Sequence, residues 1–65
     1  MEADPLAQKM KKLRKRLGMT QEQVARDLGI TMNSVAMWER GERTPTGLYR
    51  KALENWIEQK DGRKK

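Results

Sequence analysis

Sixty-five residues suffice for one small domain, and the absence of cysteine and histidine excludes disulfide stapling and the usual zinc sites. Fifteen Lys and Arg against nine Asp and Glu give a net charge of +6, which favours polyanionic partners: DNA, RNA or an anionic membrane face. The opening "MEADPLAQKM" lacks a signal peptide's apolar run and no stretch suits a bilayer span, so the expected location is the cytoplasm, with no membrane partner.

Taken in chain order, residues 1–4 are expected to be a flexible N-terminus, 5–59 the folded domain and 60–65 a basic, disordered tail. Asp4 before Pro5 is a good N-cap followed by proline at the first helical position. Leu6, Met10, Leu13 and Leu17 then recur at helical spacing, and Gly18 suits a left-handed stop. Between them "KMKKLRKR" spreads cations around the outer face, either as a solvated surface or as a field that attracts phosphate.

Thr20 with Gln23 three residues later forms a capping box, and Met19 and Val24 occupy the positions of a hydrophobic staple. Thr31 caps the next segment, with Ile30 and Val35 in the same relation. The second helix is predicted from Gln21 to Leu28 and the third from Met32 to Arg40, separated by a link short enough to force a sharp turn. Gly41 and Pro45 bound the loop "GERTP". A fourth helix, Thr46 to Gln59, carries Leu48, Ala52, Leu53, Trp56 and Ile57 on one side. With no strand signal, the fold class is all-α: four helices, with room for an extra short turn.

On a helical wheel at about 100° per residue, Val35 and Trp38 fall together and face the core. Asn33, Ala36, Met37 and Arg40 follow the i, i+3, i+4, i+7 rule on the opposite side, with Met32 at the N-terminal edge. In a chain with 37% charged residues, that second stripe withholds charge until its last turn. Such a face suits the major groove. Asn pairs bidentately with adenine, Ala and Met cover thymine methyls, and surrounding cations take the phosphates.

The segment "TQEQVARDLGITMNSVAMWERGERTP", Thr20 to Pro45, resembles the helix-turn-helix of the Cro and phage-repressor family. "GERTPTGLYRKAL" further resembles short bacterial members, including helix-turn-helix antitoxins. The resemblance covers roughly Met10 to Trp56 and implies a lambda-repressor-like domain that binds double-stranded DNA to regulate transcription, acting as a repressor. By position it implies base contacts at Met32, Asn33, Ala36 and Met37, and phosphate contacts at Gln21, Thr31, Arg40 and Arg43. It also implies a structural ion pair, Arg14 with Glu39, which in a half-exposed setting contributes at most about 1 kcal/mol. The family often has Gln or Arg where Met32 and Met37 stand, so direct hydrogen-bond readout falls mainly to Asn33.

One module this small buries little, so a homodimer on a two-fold site is expected, with half-site centres roughly 34 Å apart. The alternative is an antitoxin or interaction module whose partner is a toxin or another regulator, Met32 and Met37 packing against protein. Ala25 is read as a close-packing position and Trp38 as a core anchor; Trp56 and Ile57 either finish the core or meet a second copy. No enzyme, metal or cofactor is expected: the chain has no histidine or cysteine, no glycine-rich phosphate loop and no convincing pair of buried carboxylates.

Overall fold

A computed structural model describes residues 3–62. Four helices follow one another: α1 Pro5–Arg16, α2 Gln21–Leu28, α3 Met32–Arg40 and α4 Gly47–Asp61, with no strand among the described residues. The bounds of α2 and α3 coincide with those predicted, and the local chemistry explains why. The Thr20 hydroxyl accepts from the Gln23 N–H at 3.1 Å, and the Gln23 side chain accepts from the Thr20 N–H at 2.9 Å. The Thr31 hydroxyl accepts from the Ser34 N–H at 3.2 Å. Gly29 (φ 74°) and Gly41 (φ 81°) close these two helices in the left-handed region that favours glycine.

The α2–α3 pair packs over a core of Ala7, Met10 and Leu13 from α1, Val24 and Ala25 from α2, Val35 and Trp38 from α3, and Leu53 and Trp56 from α4. Met19, Leu28, Ile30 and Ile57 pack against it, half-buried. Trp56 therefore completes the core. Its indole N–H donates to Asp27 at 3.1 Å, and Lys60 lies 3.5 Å from the same carboxylate, so α4 is tied to the end of α2. Trp38 and Tyr49 meet edge to face, with ring centroids 6.3 Å apart and ring planes at 62°.

Four expectations need correction. Ala3 packs against the core and Asp4 caps α1, accepting from the Leu6 N–H at 3.0 Å and pairing with Arg50 at 3.3 Å, so these two residues belong to the domain. At the other end α4 runs to Asp61, which Arg16 reaches at 3.0 Å; Lys60 and Asp61 are helical, and residues 63–65 lie outside the described range. Leu48 is 86% exposed: it stands about 140° around α4 from Leu53, beyond the buried arc. Leu17 is 43% exposed because α1 ends at Arg16 and Gly18 turns the chain away.

Candidate nucleic-acid interface

The inward face of α3 is set by Val35, Trp38 and Glu39, all buried. Glu39 is the unexpected member, since a carboxylate is stable there only with its lone pairs filled. Arg14 supplies a fork from α1, its Nε donating to Glu39 Oε2 at 2.8 Å and its Nη2 to Oε1 at 2.9 Å. Gln21, the first residue of α2, donates from Nε2 to Glu39 Oε1 at 3.0 Å. The remaining Arg14 nitrogen, Nη1, reaches the Met19 carbonyl at 3.0 Å. Burial pushes the Glu39 carboxyl towards protonation, but the Arg14 and Gln21 hydrogen bonds, with the charges of Arg14 and Lys11, outweigh it and hold the pKa below 4.5.

One acid thus joins three helices. Its side chain is 3% exposed and that of Arg14 13%, so the pair is buried and the weak, half-exposed regime does not apply to it. It fixes the angle between α2 and α3, which decides how the outer face of α3 is presented.

On that outer face Asn33 is exposed, and its amide makes no hydrogen bond among the described residues. Met32 is 51% exposed, while Ala36 and Met37 are half-buried. All four residues assigned to base edges therefore share one accessible, uncharged surface.

The four residues assigned to phosphates sit in unlike settings. Gln21 braces Glu39 through its amide nitrogen; the Thr20 hydroxyl takes the Gln23 N–H, so only the Gln21 and Glu22 N–H groups of α2 stay without a partner among the described residues, where helix geometry favours an anion. The Thr31 hydroxyl is engaged with Ser34, both as a cap and at 3.0 Å to the Ser34 hydroxyl. Arg43 is exposed and forms no ion pair among the described residues. Arg40 is held by Glu42, Nε to Oε2 at 3.0 Å and Nη2 to Oε1 at 3.0 Å. The Glu42 carboxyl is pulled below its ordinary range by that guanidinium.

The resemblance also implies that Gln21 braces α3, which its bond to Glu39 does; sequence reading missed the Glu42 partnership and the long-range ties Asp27 to Trp56 and Asp4 to Arg50. Only the Glu42 pair left a local signal, an acid two residues after an arginine across the helix end. No helix among the described residues is long and apolar enough to cross a membrane, and no cluster of possible metal ligands occurs among them.

A helix-turn-helix family model matches residues 10–55, more than half of the chain. Among curated proteins, the type II methyltransferase M.SsoII of Shigella sonnei is 42% identical over 53 residues, a match covering 77% of this chain and 14% of the methyltransferase. The chain thus corresponds to a small part of that relative's length. No solved structure matches it. Four helices, a tight α2–α3 turn and the family match lead to one conclusion: the chain belongs to the helix-turn-helix family of the Cro and phage-repressor type, a family of double-stranded DNA binders.

Proposed function

We propose that the protein is a sequence-specific regulator of transcription, of bacterial or phage type, that acts as a repressor by occupying its site. In this reading α3 lies in the major groove with Asn33 against an adenine edge and Met32, Ala36 and Met37 against thymine methyls. Gln21, Thr31 and Arg43 approach phosphates, and α2 crosses the backbone. The observation that carries the reading is the exposed, unbonded Asn33 amide on a helix whose other face is locked by Glu39. The protein acts by binding and has no catalytic role, and its place is the cytoplasm. Two copies bind a two-fold site with half-site centres roughly 34 Å apart.

Selection of bound duplexes from a random pool, with the mass of the complex measured alongside, tests this reading. A shared motif with two-fold symmetry and two chains per duplex is expected. Equal retention of every duplex would end the proposal. A second reading, a protein-interaction module with DNA binding secondary, draws on the exposure of Met32 (51%), Leu48 (86%) and Tyr49 (58%). Binding to a toxin or regulator that survives Asn33→Ala and fails on Met32→Glu with Leu48→Glu would favour it.

A further inference from the structure

We infer that Arg40 reads a guanine in the major groove, in place of the phosphate contact that the resemblance implies for it, and that Glu42 is the residue that positions it, an assignment that rests on the DNA-binding reading above. Three observations carry it. Arg40 lies on the same stripe as Asn33, Ala36 and Met37, seven residues and about two turns beyond Asn33. It is the sole charged member of that stripe.

The manner of the Glu42 grip is the second observation. Glu42 takes the guanidinium side-on, through Nε and one hydrogen of Nη2. Of the five N–H donors, both on Nη1 and one on Nη2 remain, and these form the forward edge of the fork. That edge is the one that matches guanine O6 and N7. The backbone holding the acid is itself fixed: the Gly41 N–H donates to the Trp38 carbonyl at 3.2 Å and the Glu42 N–H to the Met37 carbonyl at 2.9 Å. The guanidinium is therefore held by Glu42 with that edge left open, which removes part of the rotamer entropy that a long side chain loses on binding.

Charge is the third. Arg40 and Glu42 together are neutral, so the pair releases few counterions from a phosphate backbone, and the carboxylate repels it. Neighbouring Arg43, without an ion pair, is the better phosphate ligand. The two arginines around this helix end thus divide the work: one reads, the other anchors.

The test compares wild type, Arg40→Lys and Glu42→Ala in selection from random duplexes, each checked for folding by its thermal melt. Both side chains are more than half exposed, so neither variant should unfold. In wild type one position per half-site should prefer guanine. Arg40→Lys keeps the charge but lacks the planar fork, and should lower that preference about tenfold or more while other positions stay as they were. Glu42→Ala should reduce the same preference while raising affinity for unselected DNA. An Arg40→Lys profile identical to wild type would overturn the assignment, as would a Glu42→Ala variant that binds everything more tightly with guanine preference intact. In either case an Asn33-dependent motif would leave the DNA-binding reading standing, whereas a wild type without base preference would defeat both.

Discussion

Removing the Arg14 side chain should be among the most damaging truncations on α1. Arg14→Ala leaves Glu39, with a side chain 3% exposed, facing a vacated site with only Gln21 still donating. Uncompensated buried charges of this kind cost about 3–5 kcal/mol. A folded chain of this length has roughly 3–10 kcal/mol in total, from about 0.05–0.15 kcal/mol per residue, so the variant should lose from about a third to all of its stability. Replacing both partners, Arg14→Met with Glu39→Met, removes the charge and its requirement together and should return the domain to within about 1 kcal/mol of wild type. Gln21, half-exposed, can then turn its amide to water.

The same pair sets an acid response. The folded carboxyl of Glu39 titrates below its ordinary value of 4.5, so its stabilisation is complete above that pH and is lost as pH falls through the folded value. Urea unfolding followed by circular dichroism at neutral pH and near pH 3 measures both effects. The double variant should show a smaller difference between the two pH values than wild type does. A cost below about 1 kcal/mol for Arg14→Ala, or equal acid sensitivity in wild type and double variant, would show that the carboxylate is effectively solvated and does not hold the α2–α3 angle.

Three other outcomes are expected. Asn33→Ala should cost about 1–3 kcal/mol on the cognate duplex and little on random DNA, read by titration of both; equal losses would remove Asn33 from base recognition. Arg43→Ala should weaken binding to all duplexes alike and lower the slope of log affinity against log salt by about one unit, so an unchanged slope excludes that phosphate contact. Gly29→Ala should lower unfolding stability by about 1–2 kcal/mol through backbone strain alone, because the added methyl meets no atom within 4 Å at φ 74°; a neutral result would mean that the α2–α3 turn relaxes.

The helix-turn-helix was legible because its signals are local. Thr20, Gln23, Gly29, Thr31 and Gly41 each act on backbone groups within a few residues, and the α2 and α3 bounds follow from them. The sidedness of α3 was equally local, a matter of angular spacing. What spacing could not give was environment. The resemblance gave Arg14–Glu39 as a structural ion pair but not its burial, which follows from three helices converging on it. Asp27 with Trp56, and Asp4 with Arg50, join residues 29 and 46 positions apart, and no periodicity encodes such meetings. Leu48 shows the opposite error: its apolar character was taken as inward, yet at the first turn of α4 its direction lies outside the buried arc.

The disposition of charge explains how a strongly basic chain can keep the proposed recognition surface of α3 neutral. Arg14, Arg16, Arg50 and Lys60 are spent on acids that tie helices together. Lys9, Lys12 and Lys15 on α1, and Arg43 after α3, make no ion pair among the described residues and supply the field that draws a polyanion in. That field is indifferent to sequence and is screened over roughly 8–10 Å at ordinary ionic strength. The base contacts proposed for the Asn33 stripe would act at hydrogen-bond range and would not depend on counterion release. Raising salt should therefore weaken cognate and random binding in parallel, while the ratio between them, set by α3, stays nearly constant.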